Sequence, residues 1–178
     1  VYWLEKMGHH TIDVSNEESI ALVGSLIDQY VPLFRSEKFN ICCDETFDLC
    51  RGRNAGKDSG EEYFKFLKKI IDRVKAHGKT VQMWGDIVLN HQEKMNELPK
   101  DTVMLNWCYE KEPNEENVKT FAKSGLAQIV CPGTSSWNRF IEEIDRSFDN
   151  ISNMAKYGHE NGAVGILNTN WGDFGNIC

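Results

Sequence analysis

The feature that most constrains the fold is a regular alternation of short apolar runs with amphipathic helical segments. The apolar runs lie at 39–43, 80–84, 102–107, 127–130 and 163–167. Residues with helical spacing fill the intervals between them, most clearly from Tyr63 to Val74 and over about 138–157. Strands that alternate strictly with helices pair in parallel, because each helix carries the chain back across the sheet. The sequence therefore predicts an α/β fold with a parallel sheet and crossover helices.

Local signals predict where several helices begin and end. The segment Ser15–Glu18 reads as a capping box, which predicts that the first helix opens at Ser15, and Pro32 marks its end. Gly78 is a suitable residue just past the C-terminus of the second helix. A short helical stretch at 91–98 and a helix at 114–123 complete the pattern.

Composition excludes several classes of protein. The chain has 178 residues, a formal net charge of −7 and 26% charged residues, which is typical of a folded, water-soluble chain. It offers no basic stripe to neutralise nucleic-acid phosphates. It also has no apolar run near the roughly 20 residues of a membrane helix. We therefore expect neither a nucleic acid nor a membrane as partner.

The six cysteines predict thiols and not a metal site or a disulfide framework. No CxxC pair or zinc-finger spacing occurs, and several cysteines lie within apolar runs. Cys42 and Cys43 are adjacent and would point to opposite faces of a strand, which disfavours joint metal binding. A reducing compartment is weakly indicated. The cysteines are Cys42, Cys43, Cys50, Cys108, Cys131 and Cys178.

Polar and aromatic residues collect where the predicted strands end. Four of the five tryptophans lie there, although a single tryptophan at such a place is more often a core residue. The C-terminal edge of a parallel sheet carries the active site in α/β folds. Indole faces beside carboxylates suit a sugar, whose C–H faces stack on the rings and whose hydroxyls bind the carboxylates. The residues are Asp44, Glu45, Trp84, Asp86, Asn106, Trp107, Tyr109, Ser135, Trp137, Asn170, Trp171 and Asp173.

Three competing chemistries lack their motifs. No strand is followed by GxGxxG or GxxxxGK[ST], so a nucleotide or sugar-phosphate enzyme on a doubly wound sheet is disfavoured. No GxSxG elbow is present, which disfavours a serine hydrolase. His9 and His10 could ligate a metal with distant carboxylates, but adjacent side chains point in different directions. We therefore predict neither a metal nor a cofactor.

The pair Asp44-Glu45 is the sharpest chemical feature, because it directly follows an apolar run. A retaining glycosidase normally places two carboxyls about 5–5.5 Å apart on opposite sides of the sugar. Two residues that are adjacent in the chain, such as Asp44 and Glu45, cannot easily lie on opposite sides of a substrate. They fit better when one is the acid/base and the other stabilises an N-acetyl group whose carbonyl oxygen attacks the anomeric carbon.

Three segments resemble glycoside hydrolase family 20, the β-N-acetylhexosaminidases, and within it the bacterial exo-β-N-acetylglucosaminidases. Residues 39–45 (FNICCDE) resemble the family's H-x-G-x-D-E signature at strand 4, with Asn40 at the histidine and Cys42 at the glycine. Residues 81–87 (VQMWGDI) resemble its W-x-[DE] segment at strand 5, and residues 165–173 resemble the one at strand 8. The resemblance runs from about Ile12 to the end of the chain.

The resemblance implies a role for each site residue. Glu45 would be the general acid/base, and Asp44 would orient and stabilise the acetamido group. Tyr109 is the candidate donor to the acetamido carbonyl, although much of the family carries that tyrosine after strand 7. Substrate-binding roles fall to the tryptophans and two aspartates, namely Trp84, Asp86, Trp107, Trp137, Trp171 and Asp173. The partner would be a glycan with a terminal N-acetylhexosamine.

The resemblance also implies that the chain is the C-terminal part of a larger domain. The family fold is a (β/α)8 TIM barrel of roughly 250 residues. Residues 1–178 would cover about strands 4 to 8, with strands 1 to 3 and the last helix missing. The alternative is a non-catalytic, sugar-binding half-barrel that needs a partner polypeptide, and homo-oligomerisation stays open. The thiols and the lack of a recognisable secretory leader weakly favour the bacterial cytoplasm.

Overall fold

The computed structural model describes residues 11–172, and the described chain divides into two compact units. Unit 1 contains residues 11–83 and 90–102, and unit 2 contains residues 84–89 and 103–172. The strands are β1 (Lys38–Asn40), β2 (Thr80–Trp84), β3 (Val103–Trp107), β4 (Ala127–Cys131) and β5 (Gly165–Ile166). The α-helices are α1 (Glu17–Tyr30), α2 (Ser59–Ala76), α3 (Asp86–Asn90), α4 (Glu115–Ser124) and α5 (Ile144–Glu160). Short 3₁₀ turns lie at Val31–Leu33 and Gln92–Glu97.

The strand pairings within each unit are parallel, as the alternation predicts. In unit 1, β1 pairs with β2, with Phe39 opposite Val81. In unit 2, β4 pairs with β3 on one side and with β5 on the other, and Trp107 lies opposite Cys131. The α/β fold class is therefore confirmed. No helix within residues 11–172 is long and apolar enough to cross a membrane.

Helix α2 supplies the centre of the unit 1 core. Asp58 caps its N-terminus by accepting from the amide of Glu61 at 2.8 Å. Gly78, with φ of +74°, follows the helix end as predicted. Four side chains of its apolar face are at most 2% exposed, and each buried side chain of this size contributes about 1.5–3 kcal/mol. They are Tyr63, Leu67, Ile71 and Val74.

The core of unit 2 lies between its helices and the β3–β4 pair. Met104 and Phe121 are fully buried, and Val118, Val130 and Met154 form one apolar cluster. A second cluster contains Trp84, Leu105 and Cys131. Burial raises the pKa of the Cys131 thiol to about 12, so it stays protonated at neutral pH.

Several element boundaries differ from the sequence predictions. Helix α1 is capped by Asn16 and not by Ser15, because the Ser15 hydroxyl lies within hydrogen-bond distance of the Asp13 and Asn54 side chains instead. Strand β1 ends at Asn40, although the apolar run predicts it to Cys43. Helix α5 begins at Ile144 and not near Asn138, whose φ of +63° cannot belong to a right-handed helix.

An ion-pair group joins α1 to α2 in unit 1. The Asp28 carboxylate accepts from the Arg73 guanidinium and lies 2.8 Å from Nε2 of His77. Hydrogen bonding from Arg73, and then from His77, lowers the pKa of Asp28 from 3.8 to about 2. The charged form of this carboxyl is therefore favoured in the folded state.

We expect Asp28→Asn to make the melting temperature less dependent on pH between pH 4 and pH 2. A pKa that is lower in the folded state stabilises the fold above pH 3.8, and this contribution disappears as the pH falls towards 2. The wild-type melting temperature should therefore fall more steeply between pH 4 and pH 2 than that of the variant. The control is Asp72→Asn, which removes a 63% exposed carboxylate that pairs with Lys68 at 3.7 Å. Parallel wild-type and Asp28→Asn profiles over pH 2–4 would contradict the prediction.

Candidate active site

The two adjacent carboxylates lie on a loop that leaves β1 with unusual backbone geometry. This carboxylate loop comprises residues 41–46. Three of its residues have positive φ without being glycine: Cys42 (60°), Cys43 (66°) and Glu45 (50°). The left-handed region costs a residue with a Cβ about 1–2 kcal/mol. Such cost is tolerated where the surroundings fix the backbone, and strained residues cluster at active sites.

Hydrogen bonds hold the carboxylate loop in this shape at several points. Asn40 ends β1, and its side-chain oxygen accepts from the amide of Cys42 at 2.9 Å. The amide of Phe47 donates to the Glu45 carbonyl at 2.7 Å and closes the other end. Between them, the phenol of Tyr63 donates to the Cys43 carbonyl at 2.8 Å. The loop is thus fixed at its start, middle and end.

The carboxylate loop borders a cavity of about 330 Å³ within unit 1. Asp44 is half-buried, whereas Glu45 is exposed. Most of the other lining side chains are apolar and come from α1, α2 and β1, including Val23, Ile27 and Phe66. In such a cavity the carboxylates can hydrogen-bond a polar group of a ligand, and the apolar wall can exclude water from around it.

A buried aspartate fastens the segment that follows the carboxylate loop. Asp13 is 1% exposed and accepts from Asn54 at 2.8 Å and from the Ser15 hydroxyl at 2.9 Å. Burial raises the pKa of Asp13, but the hydrogen bonds from Asn54 and Ser15 outweigh it, so the pKa lies below its usual value. The amide of Asp48 also donates to the Thr11 hydroxyl at 3.2 Å. These bonds tie residues 48–54 to the chain that precedes α1.

Unit 2 contains a cluster of five aromatic residues, called here the aromatic cluster: Trp84, Trp107, Tyr109, Trp137 and Trp171. The Tyr109 ring stacks on Trp107 at 5.1 Å and meets Trp137 edge-on at 5.0 Å. Trp171 meets Trp84 edge-on at 5.8 Å, and its indole N–H donates to the Tyr109 hydroxyl at 2.9 Å. Each residue ends a strand or follows one, so strand ends bring the cluster together.

Gly133 makes room for the aromatic cluster. A Cβ at this position would lie 2.7 Å from the Trp137 ring and 2.8 Å from the Tyr109 ring. Both distances are shorter than a real Cβ contact, so any larger residue would displace the rings. Gly133 is thus required for close approach and not for its backbone angle.

Asn150 joins the two loops that carry Tyr109 and Trp137. It lies on α5, is fully buried, and uses its whole amide group. Its nitrogen donates to the carbonyls of Cys108 at 2.9 Å and Glu110 at 2.6 Å. Its oxygen accepts from the amide of Gly133 at 3.0 Å. One side chain therefore fixes the backbone on both sides of Tyr109 and at the start of the loop that carries Trp137.

Comparison with known proteins identifies the family. The sequence model of the glycosyl hydrolase family 20 catalytic domain matches residues 3–161. The chain belongs to glycosyl hydrolase family 20. The resemblance to family 20 is therefore confirmed, and two of the segments that indicated it, residues 39–45 and 81–87, lie within the matched range.

Individual relatives of family 20 agree with this assignment. A lacto-N-biosidase from Bifidobacterium bifidum is 28% identical over an alignment of 109 residues, which covers 54% of this chain and 10% of that protein. The structure resembles a Flavobacterium johnsoniae chitobiase (TM-score 0.62, 18% identity), covering 90% of this chain and 26% of the other. It also resembles a Vibrio harveyi exo-β-N-acetylglucosaminidase (TM-score 0.59, 16% identity), covering 96% and 30%. The chain thus spans less than a third of each of these relatives, and its fold is part of the family 20 TIM barrel.

Most of the site residues predicted from the sequence lie within the described part of the chain. The five members of the aromatic cluster were all predicted site residues, and the structure brings them into contact. Asp86 is half-buried and begins α3 directly after β2. Asp173, His9 and His10 lie outside the described residues. Within 11–172, no group of three His, Cys, Asp or Glu side chains could hold a metal ion.

Two residues of the site escaped sequence reasoning. In the sequence, Tyr63 looks like an ordinary core residue of an amphipathic helix. Its additional contact with the carboxylate loop is seen only in the structure, where its phenol donates to the Cys43 carbonyl. Asn150 lies in a predicted helix where an asparagine normally faces solvent. The signal that could have found Asn150 is its position, because it falls on the buried side of α5 with Ser147 and Met154.

Proposed function

We propose that the protein to which this chain belongs is an exo-acting β-N-acetylhexosaminidase. It would remove terminal β-linked N-acetylglucosamine, or N-acetylgalactosamine, with retention of configuration. The observation that carries the proposal is the consecutive pair Asp44-Glu45 on a shaped loop directly after a strand, in a chain of family 20. The names of the relatives from Vibrio harveyi and Flavobacterium johnsoniae support this substrate class.

In the first step, the acetamido oxygen of the substrate would attack the anomeric carbon while Glu45 protonates the departing glycosidic oxygen. The C1–O bond to the leaving group breaks as the new C1–O bond closes an oxazolinium ring. The positive charge on this ring is shared with its nitrogen, and the Asp44 carboxylate would stabilise it by accepting the N–H. In the second step, Glu45 takes a proton from a water molecule whose oxygen attacks C1. The C1–O bond to the acetamido oxygen breaks, so the ring opens and the original anomeric configuration is restored.

The aromatic cluster would provide the sugar-binding walls and one donor. The Tyr109 hydroxyl accepts from Trp171, and a hydroxyl that accepts one hydrogen bond donates through its own proton. This orientation is consistent with the proposed donation from Tyr109 to the acetamido carbonyl. Trp84, Trp107 and Trp171 would bind the C–H faces of the sugar, as aromatic rings do in carbohydrate sites.

The exposed apolar residues of β5 and its flanks support a longer catalytic domain. Val164 is 63% exposed, Ile166 is 49% exposed and Leu167 is 45% exposed. Contiguous apolar surface of this kind is normally covered. We propose that the remaining strands and helices of the barrel, in the same polypeptide, cover it, so the activity belongs to the full-length protein.

Matched aryl glycosides test the proposed function directly. The full-length protein should hydrolyse an aryl β-N-acetylglucosaminide, and NMR of the early product should show the β-anomer. The matched aryl β-glucoside, which lacks only the acetamido group, should not react. An N-acetylglucosamine thiazoline should inhibit, because it mimics the cyclised intermediate. Equal hydrolysis of both glycosides would overturn substrate assistance, and sugar binding without turnover would favour the non-catalytic alternative.

A further inference from the structure

We infer that Tyr63 is a positioning residue for the carboxylate pair, and this inference rests on the proposed function. Tyr63 lies on α2 and is only 2% exposed. Its phenol donates to the carbonyl of Cys43 at 2.8 Å, and Cys43 immediately precedes Asp44. The bond therefore reaches from a rigid helix to the residue before the proposed catalytic pair.

Planarity of the peptide bond carries this restraint to Asp44. The carbonyl of Cys43 and the amide of Asp44 belong to one peptide unit, whose six atoms lie close to a plane. Fixing the carbonyl oxygen thus also fixes the direction in which the chain enters Asp44. A shift of about 1 Å at a reacting group can cost as much as two orders of magnitude in rate.

The carboxylate loop needs such a restraint because its backbone is costly. Cys42 and Cys43 on one side of Asp44, and Glu45 on the other, all have positive φ. Asn40 and Phe47 hold the two ends of the loop through bonds local in sequence, and the amide of Ile41 also donates to the Gln82 carbonyl of β2 at the start of the loop. Tyr63 is 20 residues from Cys43, so its bond ties the middle of the loop to a separate element of unit 1.

The ring of Tyr63 has a separate, structural task. It packs against other buried side chains of unit 1 and meets the Phe64 ring edge-on at 5.5 Å. The change Tyr63→Phe keeps this ring and removes only the hydroxyl. It therefore separates positioning of the loop from packing of the core.

The test compares Tyr63→Phe with Tyr30→Phe in the full-length protein. Tyr30 is 57% exposed on α1, so its variant controls for the loss of a phenol hydroxyl. Backbone amide exchange over residues 41–47 should become about fivefold faster in Tyr63→Phe, since one hydrogen bond is worth roughly 1 kcal/mol. With the aryl β-N-acetylglucosaminide, kcat should fall about fivefold while KM stays within about twofold. Tyr30→Phe should change none of these values.

The two measurements separate this inference from the proposed function. Exchange is read without any substrate, so it remains informative if the wild-type protein hydrolyses nothing. Unchanged exchange over residues 41–47 would overturn the inference whatever the activity. Faster exchange with unchanged kcat in an active enzyme would also overturn it, while leaving the proposed function intact. A parallel loss of melting temperature and of active protein, with kcat per active site unchanged, would assign Tyr63 to the core alone.

Discussion

Glu45→Gln in the full-length protein is expected to lower kcat for an aryl β-N-acetylglucosaminide by about 10³-fold. Glutamine keeps the shape of the side chain but can neither protonate the leaving group nor take a proton from water. The loss should be smaller for a dinitrophenyl leaving group, which departs with little acid assistance. Steady-state kinetics with aryl leaving groups of graded pKa measures both effects.

Two comparisons separate lost chemistry from lost structure in Glu45→Gln. Glu17→Gln is the control, because it neutralises an 81% exposed carboxylate on α1 of the same unit. Its kcat should equal that of the wild type. Glu45→Gln should still bind the thiazoline, because the proposed contact to that ring comes from Asp44. Wild-type kcat in Glu45→Gln would remove Glu45 from the mechanism.

Asn150→Asp is expected to cost about 3 kcal/mol or more of folding free energy. The carbonyls of Cys108 and Glu110 would lose their donor in a fully buried site, and a new carboxylate would face both. Each unsatisfied buried group costs about 1–3 kcal/mol, and more when a charge is involved. Because the change also releases the backbone beside Tyr109, tryptophan fluorescence of the aromatic cluster should change with it. Urea unfolding followed by that fluorescence measures the loss.

The same helix provides the control for Asn150→Asp. Asn153 lies one turn further along α5, is half-buried, and donates to the Lys111 carbonyl at 3.2 Å through a solvent-exposed hydrogen bond. Asn153→Asp should cost less than about 1 kcal/mol, since water replaces the lost bond. The Asn150→Asp protein should also regain stability as the pH falls, because a protonated carboxyl can donate to a carbonyl. Equal losses in the two variants would refute the role given to Asn150.

The secondary-structure elements that were predicted correctly are those for which neighbouring residues in the sequence all favour the same structure. Strand β2 was expected at Thr80–Trp84 and is found there, because it is an apolar run between a helix end at Gly78 and the polar residue Asp86. The aromatic cluster was also predictable, because parallel strands place their C-terminal ends together and tryptophans follow those ends.

The remaining features depend on contacts that one-dimensional patterns do not contain. Ser15 and Asn16 are both good helix caps, and the choice was made by Asp13, which accepts the Ser15 hydroxyl. Phe140 and Ile141 extend the helical spacing of α5 towards its N-terminus, yet they are 84% and 79% exposed in an irregular loop. The turn after Asn40 is invisible to hydropathy, because cysteines at positive φ look like strand residues.

The backbone angles of Cys42 and Cys43 show which backbone conformation the family signature requires before Asp44. Where relatives carry glycine, as the H-x-G-x-D-E pattern does at the position of Cys42, the requirement met here is a left-handed backbone angle of 60°. Asparagine and aspartate tolerate that angle, and β-branched residues do not. A search for distant members of this branch should therefore accept small unbranched residues at positions 42 and 43 and reject valine, isoleucine and threonine. Defined in this way, the motif specifies the backbone conformation that leads into Asp44 and Glu45, and not only the residue types allowed at each position.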